Sequence, residues 1–249
     1  VDEALWPAKQ MAYFINARKD EGSRPQHIET NGDFATRQMV RIYSAYEEAC
    51  QRNGVVDFAE LLLRSLELLR DNAELQAHYR ARFRHILVDE FQDTNALQYS
   101  WLRLLAGEHN PVFAVGDDDQ SIYGWRGARI ENIRNFTEHF ANCETIRLEQ
   151  NYRSTGNILQ AANGLIDHNR GRLGKNLWTD GADGELLQLY AAYNEIDEAR
   201  YVAGQIQRWV AQGGARAEVA VLYRSNAQSR VFESTFNESQ IPYRVYGGL

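Results

Sequence analysis

The chain is poor in the features that would place it outside the cell, in a membrane or around a structural metal. It has two cysteines in 249 residues, Cys50 and Cys143. They lie far apart and lack metal-ligand spacing, which excludes a disulfide framework and predicts reduced structural thiols. The six histidines are scattered and form no zinc pattern. No apolar run approaches the roughly 20 residues that cross a bilayer, and Val1-Asp2-Glu3 lacks the basic and apolar sections of a signal peptide, so a cytoplasmic protein with no membrane partner is expected. An excess of positive charge is also missing. The net charge is −7, whereas phosphate binding usually shows as a basic surface.

The distribution of charge softens that last exclusion. Residues 1–82 carry 11 basic and 13 acidic side chains, residues 83–150 carry 6 and 11, and residues 151–249 carry 10 and 10. The acidic excess is therefore concentrated in the middle third, where a bound divalent cation would suit it, and the flanking thirds are left able to contact phosphates. With 44% apolar and 11% aromatic residues, the chain can bury one large core or two ordinary ones.

Helical spacing of apolar residues predicts helices over 4–20 and 34–53, with a third beginning at the N-cap Asp57. After Arg84 the rhythm changes to strand, turn, helix. Strands are expected at 85–90, 111–116, 144–148, 186–192, 218–223 and 243–246, separated by helices at 95–106, 130–140, 154–168, 195–212 and 226–239. Gly171 to Gly184 is a glycine-rich, mixed-charge connection. Alternation of this kind predicts an α/β protein with parallel sheets, and a boundary between two lobes is placed near Leu148 to Gln150.

Four stretches carry chemistry. Ile86-Leu87-Val88-Asp89-Glu90-Phe91-Gln92-Asp93 is an apolar run that stops in two adjacent acids. It predicts a buried parallel strand whose carboxyl end, where such sheets bind ligands, carries Asp89 and Glu90. An acid in this place can hold Mg²⁺ and its neighbour can orient an attacking water, although buried strands also end in acids simply on returning to solvent. Val115-Gly116-Asp117-Asp118-Asp119-Gln120-Ser121-Ile122-Tyr123-Gly124-Trp125-Arg126-Gly127-Ala128 makes a poor core segment. As a functional loop, it offers Gln120 to a terminal phosphate and Tyr123, Trp125 and Arg126 to unpaired bases. As a solvated acidic turn, it would pack its aromatics beneath it. In Gln150-Asn151-Tyr152-Arg153-Ser154, Tyr152 can stack on a base and Arg153 can reach a transferring phosphoryl group, or the pair merely opens a helix. Tyr223-Arg224-Ser225-Asn226 precedes a helix N-terminus that could receive a phosphate, or begins a surface helix.

Together these strings resemble the superfamily 1 DNA helicases of the UvrD, Rep and PcrA type. Val-Asp-Glu-Phe-Gln-Asp-Thr-Asn is similar to helicase motif II, Gly-Asp-Asp-Asp-Gln-Ser-Ile-Tyr-Gly-Trp-Arg-Gly-Ala to motif III and Gln-Asn-Tyr-Arg-Ser to motif IV. The 176–184 segment and the 223–230 string favour the UvrD type. The resemblance implies two RecA-like lobes preceded by a helical insertion: residues 1–56 as part of the insertion, 57–148 as the latter part of the first lobe and 149–249 as the opening of the second. It implies ATP and Mg²⁺ as cofactors, with Asp89 and Glu90 at the metal and Glu90 activating water. Gln120 would sense the γ-phosphate, Tyr152 would stack on adenine and Arg153 would serve as an arginine finger. Phe58, Tyr123, Trp125 and Arg126 would hold single-stranded DNA, with Arg224 and Asn226 as weaker candidates from the second lobe. Single-stranded DNA, duplex junctions and repair proteins are the implied partners, and translocation runs 3′ to 5′.

The departure is the phosphate-cradling Gly-x-x-x-x-Gly-Lys-Ser/Thr. It occurs nowhere in the chain: Gly174-Lys175 is followed by Asn176 and preceded at the other anchor by Asn169. The sequence is therefore expected to be an internal fragment, inactive alone as an ATPase. Two other classes are weighed beside it. Asp89, Glu90, Asp93 and Asp117 to Asp119 could form a two-metal nuclease, and the chain could act as a non-catalytic module binding DNA or partner proteins.

Overall fold

The computed structural model describes residues 2–140 and 142–246. In it, short acid and amide side chains set the helix starts. The first helices are α1 Ala8–Asp20, α2 Phe34–Asn53, α3 Phe58–Asp71 and α4 Ala73–Arg82, and Asp33 caps α2 by accepting from the Thr36 amide. Asp57 caps α3 through the Glu60 amide and Asn72 caps α4 through the Leu75 amide. Such caps satisfy amides that the helix itself cannot. Gly54, at φ 63°, ends α2 in the left-handed conformation that glycine adopts without strain.

Beyond these lie strand β1 (Ile86–Val88), α5 (Ala96–Ala106), strand β2 (Val112–Ala114) and α6 (Glu131–His139), then α7 (Gly156–Ile166), α8 (Glu195–Ala211) and α9 (Ser229–Glu238). The chain divides into two compact units, Val1–Arg153 with Leu159–Asp180, and Ser154–Ile158 with Gly181–Leu249.

In the first unit, β1 and β2 pair in parallel with Ile86 opposite Val112 and Val88 opposite Ala114. Their inward side chains join Phe91, Tyr99, Leu102 and Phe136 in one apolar cluster. Leu63 and Leu66 of α3 pack with Leu97 of α5 in a second cluster. Between α1, α2 and α3 lies a charged core. Lys19, 2% exposed, reaches Asp57 Oδ2 at 2.7 Å and Glu60 Oε2 at 2.8 Å. Arg24 adds contacts to Glu47, Glu60 and Glu67. Asp57 thus caps α3 with one oxygen and binds Lys19 and the Tyr46 hydroxyl with the other. In the second unit, Ala199, Ala203 and Ile206 of α8 meet Phe232 and Phe236 of α9 around Ile241.

Three expectations need correction. The strand at β1 is buried on one face only, because Leu87 and Phe113 point away from the cluster and are exposed. The strands expected at 144–148, 186–192, 218–223 and 243–246 do not form among the described residues. An apolar run becomes a strand only when a neighbour completes its hydrogen-bond ladder, and among the described residues no ladder forms along these segments, where Leu189 is 98% exposed. Conversely, α4 was not expected, since it buries no residue and so carries no periodic signal. The fold is thus helix-rich with a small two-stranded parallel sheet. No helix among the described residues is long and apolar enough to cross a membrane.

The charged core predicts a pH response. Burial pushes the Glu60 carboxyl up, but hydrogen bonds from Arg24, Lys19 and Arg64 outweigh burial and hold it at about 2, below its ordinary 4.5. A depressed folded value stabilises the fold above the ordinary value, and that stabilisation is lost as pH falls from about 4.5 towards 2. Glu60→Gln should cost roughly 3 kcal/mol, because buried Lys19, still paired with Asp57, and Arg24 each lose a carboxylate partner, and should flatten acid unfolding over that window when followed by circular dichroism.

Candidate functional site

The parallel pairing of β1 and β2 brings their carboxyl ends side by side, and a buried amide fixes the spacing. Gln92 is 1% exposed. Its Nε2 donates to Glu90 Oε2 at 2.7 Å, and its Oε1 accepts from the Asp117 amide at 2.9 Å. The backbone continues the pairing, with the Phe91 amide donating to the Val115 carbonyl. Gly116 is needed here, since a Cβ on it would lie 2.8 Å from Gln92 Oε1. Glu90 holds φ 50°, a left-handed conformation unfavourable for a residue with a Cβ, and its carboxylate is held by Gln92. Both acids are exposed, and Asp89 Oδ1 accepts from the Glu90 amide. Hard carboxylate oxygens at a strand end fit a Mg²⁺ ion.

Gln120 joins the same network. Its Nε2 donates to Asp117 Oδ2 at 2.7 Å, so Glu90, Gln92, Asp117 and Gln120 form one hydrogen-bonded chain. The segment after α7 meets the three consecutive aspartates: Lys175 pairs with Asp117, Arg172 grips Asp119 with two nitrogens at 2.9 and 2.7 Å, and the Leu173 amide donates to Asp118 Oδ2 at 2.6 Å. Burial raises the Asp117 carboxyl, yet Lys175 and Gln120 together bring it below the ordinary carboxylate value. The carboxylate oxygens of Asp117, Asp118 and Asp119 lie within 4.8 Å of one another, but side-chain cations already neutralise two of them. That pairing weakens the carboxylate-only nuclease reading.

Just beyond, Arg126 lies over two rings, 4.9 Å from the Tyr123 centroid and 4.6 Å from that of Trp125. Trp125 is 58% exposed. The loop is anchored to the segment behind the acids. Ala128 bridges Asn95, the Arg129 amide donates to the Thr94 carbonyl, and buried Asn132 donates to Thr94 and Asn95.

The remaining predicted residues stand elsewhere. Tyr152, 86% exposed, donates its hydroxyl to Gln150 Oε1 at 2.7 Å, and Gln150 in turn binds Asp180. Arg153, also exposed, ends the first of the two segments that make up the first unit. Phe58, 92% exposed on the first turn of α3, follows Val55, Val56 and Asp57, which line a cleft of about 640 Å³ over the charged core. Arg224 and Asn226 are exposed in the second unit, where the Arg224 amide is held by Gln228.

The arrangement coincides with a recognisable family. The UvrD/REP helicase N-terminal domain matches residues 1–141, and the UvrD-like helicase C-terminal domain matches residues 146–249. The chain belongs to the UvrD/REP helicase family. It is 59% identical over 249 residues to DNA helicase II of Escherichia coli, 56% identical over 248 residues to that of Haemophilus influenzae, and 42% identical over 249 residues to ATP-dependent DNA helicase PcrA of Staphylococcus epidermidis. Each match covers all of this chain but 34 to 35% of the relative, so the chain spans about a third of the length of the curated relatives it matches.

Sequence reasoning named the acids and Gln120 but missed what joins them. Gln92 was visible only as a polar residue directly after an apolar strand, and Arg172 and Lys175 only as charges in a connection. Gln92→Leu removes the acceptor of the Asp117 amide. Hydrogen exchange at that amide should then accelerate by about tenfold or more, while amides of α8, in the other unit, keep their rates.

Proposed function

We propose that this chain carries the catalytic acids, the phosphate sensor and part of the DNA path of an ATP-dependent DNA helicase that moves 3′ to 5′ on single-stranded DNA and serves repair and replication in the cytoplasm. The hydrogen-bonded chain from Glu90 through Gln92 and Asp117 to Gln120 carries this reading, because it links strand-end acids to an amide beside the aromatic loop. In the same reading, residues 1–56 are part of a helical insertion, 57–148 the latter part of one RecA-like lobe and 149–249 the opening of a second.

Mg²⁺ bound with ATP would neutralise phosphate charge and polarise the terminal phosphoryl group. Asp89 would hold that ion from the end of β1. Glu90, with Oε2 tied by Gln92, would take the proton of an attacking water on Oε1 as the water oxygen bonds to phosphorus and ADP leaves. Gln120 would contact the terminal phosphate through its amide, and Asp117 would fix that side chain. Tyr152 would stack on adenine. Arg153 would reach the phosphoryl group when two lobes close, which couples hydrolysis to movement along the strand. Trp125, Tyr123 and Arg126 would receive unpaired bases, with Phe58 on the same path and Arg224 and Asn226 contributing from the second lobe. Duplex junctions and repair proteins are the corresponding partners.

Two outcomes test the reading. The 249-residue chain lacks the phosphate-cradling string and should show no DNA-stimulated ATP hydrolysis. A rate that vanishes on Glu90→Gln would contradict this. It should still bind a labelled single-stranded oligonucleotide weakly and with steep salt dependence, and Trp125→Ala should weaken binding by about five- to a hundredfold, since one base stack is worth ~1–3 kcal/mol. Unchanged binding would remove the stacking assignment.

A further inference from the structure

The helicase reading gives the segment Arg172–Lys175 no role. Its contacts are nevertheless concentrated on one target. Each of the three aspartates at 117–119 receives a donor from it, across 53 to 58 residues of sequence: Lys175 Nζ for Asp117, the Leu173 amide for Asp118 and the Arg172 fork for Asp119. Arg172 also donates to the Lys175 carbonyl at 2.8 Å and to Asp167 at 3.0 Å, so the Arg172 guanidinium also braces the backbone that carries Lys175. Arg172, Lys175, Asp117 and Asp119 are all largely shielded from solvent, which strengthens charge pairing relative to an exposed pair. Asp117 then uses its other oxygen for Gln120 Nε2 and its amide for Gln92 Oε1.

We propose that Lys175 and Arg172 are positioning residues that clamp the acidic loop shut, fixing the Gln120 side chain through Asp117 and keeping the three aspartates unavailable to a divalent cation. The clamp places a charge where a metal would otherwise be needed to relieve three adjacent carboxylates. Its consequence for phosphate sensing rests on the helicase reading. The clamp itself does not.

The test uses the whole isotope-labelled chain and follows side-chain amide signals of Gln120 and Gln92 by nuclear magnetic resonance, without nucleotide or DNA. Lys175→Met should shift the Gln120 signals by more than a line width and speed their exchange with water by about tenfold. Lys175→Arg, which restores the charge, should return them close to the unsubstituted chain. Core signals of Leu63 and Leu97 report whether the unit stays folded. If Lys175→Met disturbs those as well, Lys175→Gln carries the same comparison, removing the charge while keeping a polar side chain. In a parallel titration, Mn²⁺ should broaden the amides of Asp117 to Asp119 at concentrations at least tenfold lower in the Arg172→Met, Lys175→Met double variant than in the unsubstituted chain. Unchanged Gln120 signals in the charge-removing variants at Lys175, or equal broadening with and without the two cations, overturns the clamp. Either result leaves the DNA-binding test of the helicase reading standing, and loss of that reading leaves the clamp standing.

Discussion

Everything at the candidate site depends on the distance between two strand ends, and Gln92 sets that distance. A two-stranded ladder of three residues each is a weak spacer by itself. The amide of Gln92 supplies what the ladder lacks, because one side chain donates to the acid after β1 and accepts from the backbone after β2. Its burial makes the arrangement selective. A buried amide that loses either partner bears a desolvation cost, so the geometry in which both contacts form is favoured over neighbouring ones. Gly116 leaves the room this requires, and the left-handed Glu90 turns the chain into it.

From that fixed point the network extends outward. Asp117 passes the constraint to Gln120, and the clamp of Arg172 and Lys175 holds Asp117. On the opposite side, Thr94 and Asn95 accept from Asn132 and Arg129, and Asn95 donates to Asp20 on α1. The aromatic loop is therefore tied to the same segment that carries the acids. A displacement of either would be transmitted through hydrogen bonds and packed side chains rather than through a flexible linker.

What the sequence revealed followed the range of the interactions concerned. Helix α2 was legible to its ends, since the Asp33 cap, the apolar spacing and Gly54 are all local signals. The acids and Gln120 were legible because strand ends in parallel sheets deliver ligands to one edge. Helix α4 was not, having no buried face to impose a period. The later strands were overread because apolar alternation states only what a segment could pair with, whereas pairing depends on a partner distant in sequence. The clamp had the same weakness as a signal: Arg172 and Lys175 acquire meaning only opposite aspartates more than fifty residues away.

The clamp also bears on how an acidic chain could present the proposed nucleic-acid surface. Composition places the negative excess in the middle third, around the aromatic loop itself. In the folded unit Asp117 and Asp119 are paired with Lys175 and Arg172 from outside that third, and Arg126 lies over Tyr123 and Trp125. Two of the three aspartates are then paired with cations, and Arg126 adds a third positive charge over the rings. A phosphate approaching the exposed face of Trp125 therefore meets a local field nearer neutral than the net charge of −7 implies. Charge counted along the chain and charge arranged in space differ here because neutralising partners come from distant sequence. At a Debye length of about 8 Å in physiological salt, the nearby arrangement governs binding more than the distant total.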